Sequence, residues 1–250
     1  MDIMNFLESI FRWIHVVAGI LWIGLLYFFN FVNAGFAGTM DGETKKKVVP
    51  ELMPRALYWF RWGAAFTWVT GVLLLLVVYY HTGLLFESGH WGASTFVMLA
   101  IVFFGVFVYD ALVNSVLKDL KATFVGGLIL VFIILMLMDY VAGFSFRGYA
   151  IHLGAMFGTI MAFNVWFRIW PAQQKIIRAT KDGQPPDAAL VALAGTRSKH
   201  NTYMSVPLVY MMMAQHAVFS ANPITLAIVV LIGWGAVYWL YDKSKTVKGF

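Results

Sequence analysis

The sequence predicts an all-α integral membrane protein: seven transmembrane helices in one bundle, N-terminus outside, C-terminus in the cytoplasm. Three observations carry this. First, the 250 residues are 61% hydrophobic and only 12% charged, where a soluble domain has about 25% charged residues. The mean hydropathy is +0.76. Second, apolar runs recur at lengths that cross roughly 30 Å of hydrocarbon at about 1.5 Å per residue. Third, when the spans alternate, every Lys and Arg except Arg12 and Arg147 falls on one side of the membrane.

The predicted spans lie near 10–34, 57–80, 93–114, 122–142, 148–170, 201–219 and 223–241. The first, IFRWIHVVAGILWIGLLYFFNFVNA, places His15, Gly19, Trp22, Leu26, Asn30 and Asn33 at steps of three and four residues, hence on one helical face. Lipid does not call for an imidazole and two carboxamides on one stripe. Polar groups inside a bilayer are costly and usually face a bundle interior or a cavity, so this stripe reads as the wall of a functional site. The sixth span is short and contains Pro207, so it either begins earlier or kinks where the proline removes a hydrogen bond. The loops are short except 171–200. There Pro185 and Pro186 precede DAALVALAG, which reads as a short helix on the cytoplasmic surface stopped at Gly195. The whole chain, 1–250, reads as a single membrane domain.

The basic side holds Lys45, Lys46, Lys47, Arg55, Arg61, Lys118, Lys121, Arg168, Lys175, Arg178, Lys181, Arg197, Lys199, Lys243, Lys245 and Lys248. By the positive-inside rule that side is cytoplasmic. The net charge of +6 is therefore topological, and no nucleic-acid partner is expected. The N-terminus, MDIMNFLESIF, is acidic and lacks a small-residue cleavage site, so it does not read as a removable signal peptide. The absence of cysteine excludes disulfides, thiolate clusters and a covalently attached c-type haem.

Depth sorts the histidines. His15, His81, His152 and His216 fall near the outer face, His90 lies in an outer loop, and His200 alone is cytoplasmic. Several imidazoles at one level suit axial ligation of a non-covalent b-type haem, its iron held by two of His15, His152 and His216. Arg12 and Arg147, at the same end, suit its propionates. Gly154, Gly158 and Ala162 in one span, and Gly63, Thr67 and Gly71 in another, would admit a flat macrocycle or a neighbouring helix. His81 and His90 are expected bystanders. The plainer alternatives are interfacial polar caps, or a zinc or copper site.

A second polar cluster sits at the cytoplasmic end: Asn30, Asn33, Arg61, Asp110, Asn114, Asn164, Arg168 and the run Arg197 to Tyr203, which includes His200 and Asn201. Arginines and carboxamides suit a planar, anionic, hydrogen-bond-rich ligand. They also suit lipid phosphates and loop carbonyls.

Four stretches resemble the N-terminal membrane domain of bacterial membrane-bound urate hydroxylase, the urate oxidase type fused to a cytochrome c. They are HVVAGILWIGLLYFFNFVN (15–33), YWFRWGAAFTWVTG (58–71), IHLGAMFGTIMAFNVWFRIWPAQQKII (151–177) and RSKHNTYMSVPLVYMMMAQH (197–216). The resemblance implies oxidation of urate in a bacterial inner membrane, with electrons passed to cytochrome c rather than to O2. It marks His15, Asn30, Asn33, Arg61, His152, Asn164, Arg168, His200, Asn201 and His216. Family enzymes continue into an eighth span and a cytochrome c domain, whereas this sequence ends in DKSKTVKGF after seven. The acceptor is therefore expected to be a separate cytochrome c or a respiratory complex.

The expectation is a haem b-binding oxidoreductase. A small anionic purine is held by Arg61, Arg168, Asn30, Asn33, Asn164 and Asn201, with His200 as general base because its ordinary pKa is about 6.5. Electrons then leave outward. The alternatives are a non-catalytic haem-bearing or scaffold subunit, and a transporter. Against transport, no span except that of Pro207 is broken mid-membrane.

Overall fold

The structure is a computed structural model and describes residues 3–87, 90–116, 120–216 and 222–247. Lys118, Lys248 and the expected end of the sixth span at 217–219 lie outside the described residues. Among those described, the fold is helical, with one isolated bridge between Phe86 and Phe144. The long helices are α1 (Ile3–Thr39), α2 (Gly42–Tyr80), α3 (Ala93–Ser115), α4 (Lys121–Val141), α5 (Phe146–Lys181), α6 (Ala188–Met213) and α7 (Pro223–Thr246).

Six of these are long and apolar enough to cross a membrane; α6 is the exception. Its middle carries Arg197, Lys199, His200, Asn201, Thr202 and Ser205, and all of them but Lys199 are buried. Neighbouring helices shield this polar face, so hydropathy alone does not find the helix. Its start also corrects an expectation. The short surface helix ending at Gly195 is not a separate element, because α6 runs through Gly195 from Ala188 to Met213. A glycine in a helix interior costs only about 1 kcal/mol, and burial of Ala194, Arg197 and Asn201 on one face continues the packing stripe past it.

Other helices also outrun their apolar cores. α2 begins at an Asp41 cap, whose carboxylate accepts the Thr44 backbone N–H at 2.8 Å, and Pro50 and Pro54 do not end it. α5 continues past Pro171 to Lys181.

The most buried helix is α5, and it packs against α2, α3 and α6. Small residues set these approaches. A Cβ at Gly154 would stand 3.0 Å from the Met211 side chain, and one at Gly158 3.6 Å from Leu208. On α2, Gly63 faces Trp22 of α1 and Gly71 faces His15. On α7, Gly233 receives the Pro207 ring, which would lie 2.9 Å from an added Cβ. Of the two uses the sequence allowed for its small-residue stripes, the structure realises the close approach of helices. Gly148 admits backbone: an added Cβ there would lie 2.3 Å from the Leu85 carbonyl oxygen.

Four π-helical turns interrupt the helices, at Phe28–Asn33, Leu75–Tyr80, Leu137–Val141 and Val165–Ile169. They carry Asn30, Asn33, Tyr80 and Arg168. A π turn re-aims side chains and is frequent at functional sites. Finally, α3 packs against α4 at Leu137–Val141, and residues of both helices line a cavity between them.

Candidate functional site

The first polar centre is a carboxylate shared by two arginines. Asp110 on α3 accepts from Arg168 on α5 through Nε at 2.9 Å and through Nη2. Arg197 on α6 donates Nη2 to the same carboxylate at 2.7 Å and to Asn114 Oδ1 at 2.8 Å. The Arg168 fork uses both carboxylate oxygens, the strong bidentate geometry for this pair. The Arg197 side chain is only 1% exposed. Two cations and one anion leave the centre with one net positive charge. The Arg197 Nη1 group is buried with no hydrogen-bond partner.

Beside it runs a second chain of bonds. Asn164 on α5 donates Nδ2 to Asn201 Oδ1 at 2.9 Å and to the Tyr109 hydroxyl at 3.2 Å. Asn201 donates in turn to the Met161 carbonyl at 3.0 Å. Tyr109 Oη lies 2.8 Å from His200 Nδ1. With the Tyr109 proton directed to His200 Nδ1, His200 carries its own proton on Nε2. The Arg197 guanidinium stands 5.2 Å from the Tyr109 ring centroid and joins the two networks. Asn164 Oδ1 is the second buried atom here without a partner.

His200 and Tyr109 also line a cavity of about 360 Å³ between α3, α4, α5, α6 and α7. Its other walls are almost wholly apolar.

The remaining residues expected at this end stand apart. Asn30 is fully engaged: it donates to the Leu26 carbonyl at 2.9 Å and Ser198 Oγ at 2.8 Å, and accepts from the Tyr241 hydroxyl at 2.8 Å. Asn33 donates to Met53 Sδ at 3.7 Å. The Arg61 guanidinium lies over aromatic rings, 4.1 Å from Trp170, 5.6 Å from Tyr58 and 5.7 Å from Trp166, a cation–π cage. The structure thus brings Asn164, Arg168, Arg197, His200 and Asn201 together with Asp110 and Asn114, and leaves Asn30, Asn33 and Arg61 elsewhere.

Sequence reasoning missed the tyrosines. Tyr109 adjoins Asp110, and Tyr27 shares a 3.0 Å bond with Ser205 on α6. Read as part of an aromatic belt, such residues show no polar role until their hydroxyls are located.

Residues 34–247 match the family described as urate oxidase N-terminal. The chain belongs to that family. No curated protein and no solved structure matches it. The chain is therefore a helical, multi-pass membrane-type member of the urate oxidase N-terminal family, and the networks above lie on segments within the matched region.

The opposite end holds the histidines expected to share a haem iron. In this family member they are separated. His15 Nδ1 donates to the Thr67 carbonyl at 2.9 Å and lies 3.2 Å from Thr70 Oγ1. His152 Nδ1 donates to the Gly148 carbonyl at 2.7 Å, and its Nε2 accepts from the Tyr80 hydroxyl at 2.8 Å. His15 is thus held by the Thr67–Thr70 stretch of α2, and His152 by Tyr80 ten residues further on. His216, itself exposed, ends the short turn that follows α6. On α5 the face toward α6 is that of Gly154. His152, two residues earlier, sits roughly 200° around the helix from it and instead faces Tyr79, Tyr80 and Phe144.

Each carbonyl bond fixes a tautomer whose Nε2 lone pair suits a metal, but these residues do not fit a haem held between two histidines. Each ring is held by its own partners, and the His152 lone pair is taken. Arg12 is exposed and pairs with Glu8, and Arg147 is also exposed. His81 and His90 are exposed.

Proposed function

We propose that the chain is the membrane-embedded part of a urate hydroxylase-type oxidoreductase. It takes a small planar anion of the purine class at the basic end of the bundle, in the cytoplasm, and gives electrons to a separate cytochrome c or respiratory complex outside. Family membership supplies the substrate class. One observation carries the site: a buried donor, Arg197 Nη1, and a buried acceptor, Asn164 Oδ1, both without partners, in a cluster with net positive charge. A buried polar atom left unpaired costs about 1–3 kcal/mol, and a purine edge presents both an acceptor and a donor.

In this reading Arg197, with Arg168 and Asp110 fixing its position, binds the anion, and Asn164 and Asn201 orient it. His200, protonated on Nε2 and bonded to Tyr109 through Nδ1, is a hydrogen-bond donor in the resting state. It serves as a base only after the Tyr109 bond rearranges. Haem b is the relay that the sequence leads one to expect. Since the outer histidines do not assemble a two-ligand site, no step here is routed through it.

The test is urate binding to the detergent-purified chain by calorimetry, followed by urate-dependent reduction of added cytochrome c. Asn164→Ala should weaken binding at least tenfold, measured at a temperature where the melting curve shows the variant still folded. No binding in the wild-type chain would remove the proposal. An oxidised-minus-reduced absorption spectrum of the same sample tests the haem. A Soret band lost in His15→Ala would establish a one-histidine site there.

A second reading, a non-catalytic scaffold subunit, is favoured by the engagement of Asn30 and Asn33 in structural contacts. It predicts the same fold, no urate binding, and co-purification with a larger complex.

A further inference from the structure

The cavity beside His200 is built unlike the purine site. Its walls come from Ile101, Gly105 and Val108 on α3, Leu130 on α4, and the aromatic pair Phe124 and Trp234, among others. Those two rings pack edge to face, 5.0 Å between centroids, and Phe124 packs likewise on Tyr203 at 4.5 Å. Apolar walls of this kind exclude a free anion, whose desolvation nothing here would offset. The cavity is nonetheless not purely apolar, because His200 and Tyr109 stand on one wall. The hydrogen-bond order above puts an N–H on His200 Nε2, which has no partner among the described residues.

Access is from the side. Rim residues on α3 and α4 are open to the lipid face: Val108 is 62% exposed and Leu130 43% exposed. A ligand reaching this cavity arrives dissolved in the bilayer. At about 360 Å³ the volume lies at the lower end of small-molecule sites, enough for a ring with its substituents while a long tail stays between α3 and α4.

We infer that this cavity binds a lipid-soluble quinone: the ring lies against Phe124, Tyr203 and Trp234, one ring carbonyl accepts from His200, and the isoprenoid tail leaves between α3 and α4. An acyl chain would fill the same walls but leave the His200 donor unmatched, and a polar solute would match the donor but not the walls. This inference goes beyond the purine-site reading and does not rest on it.

The experiment is direct binding of decylubiquinone to the full chain in lipid nanodiscs, with decylbenzene as a control that has the same tail and a ring without carbonyls. Saturable decylubiquinone binding at least tenfold tighter than that of decylbenzene is expected. A Cβ added at Gly105 meets nothing nearer than Ile101 Cγ2 at 4.0 Å. Gly105→Phe should therefore fill the cavity without disturbing the Tyr109–His200 bond, and should weaken quinone binding at least tenfold with gel filtration and melting unchanged. His200→Leu should remove the preference over decylbenzene. The inference is overturned by no saturable binding, by equal binding of decylbenzene, or by wild-type affinity in Gly105→Phe. None of these readouts involves urate, so failure here leaves the purine site standing, and the reverse also holds.

Discussion

At the scale of single residues, the chemistry concentrates on a carboxylate that two arginines share. Arg197 is almost completely buried, and a buried cation is tolerable only while its counter-charge stays in place. Removing that charge should be worse than losing one bond. Asp110→Asn is expected to destabilise the protein by about 3–5 kcal/mol, mostly through Arg197, because the Arg168 side chain is one-third exposed and water can replace part of its loss. Thermal unfolding in detergent would read this as a large fall in Tm. A shift like that of Glu51→Gln, at an exposed ion pair, would contradict it. The residue scale also explains what the sequence could not reveal. Asp110, Asn164, Arg168, Arg197, His200 and Asn201 were legible as polar positions in apolar surroundings. Tyr109 was not, because a tyrosine fits a lipid-facing belt and a hydrogen-bonded wall equally well. Nor was the division of the cluster: Arg61 and Asn30 have the same chemistry as Arg168 and Asn164, and only packing assigns the first two to an aromatic cage and a helix junction.

At the scale of elements, composition located the apolar cores and missed the helix ends. Helices outlast the bilayer when a flanking face still has something to pack against, and Gly195 shows this. It lies exposed within α6, with nothing within 4 Å of an added Cβ. Gly195→Ala should therefore stabilise α6 by about 0.5–1 kcal/mol, seen as a raised Tm with unchanged ligand binding. If Gly195 ended a separate surface helix, the same substitution would destabilise. Gly148 is the opposite case. Its missing side chain lets the Leu85 carbonyl approach α5, and a methyl group there would overlap that oxygen. Gly148→Ala is expected to cost at least 1–3 kcal/mol and to speed amide exchange around Leu85 and Ser145, which are joined by a 2.8 Å backbone bond. Unchanged exchange at these two amides would refute the close approach. The π turns belong to this scale too. No composition rule announces them, yet they carry Asn30, Asn33, Tyr80 and Arg168.

At the scale of the whole molecule, the charge asymmetry makes a prediction about orientation. The chain has no cysteine, so single cysteines report topology without background. His90→Cys should react with a membrane-impermeant maleimide on intact cells, and Gln184→Cys only after permeabilisation. The reverse pattern would invert the assigned orientation and place the purine site outside. The same charge split led to seven spans, one of which, α6, fails the hydropathy test that the other six pass. Alternation of the charges calls for a crossing there, which a sliding average of hydropathy does not.

By itself the sequence determined the helical membrane class, the positions of the apolar cores, the family, and the polar residues that do not belong in lipid. These are local properties: an apolar run long enough to cross a bilayer, a motif, or a charge out of place can each be read from adjacent letters. Only the tertiary structure decided which polar residues meet. It gave His15 and His152 different partners, joined Asp110 to arginines 58 and 87 residues away, and left a cavity between α3 and α4. Those outcomes depend on rotation and register between helices. They are set by where small residues let backbones approach, and that is a property of pairs of helices which no single segment contains.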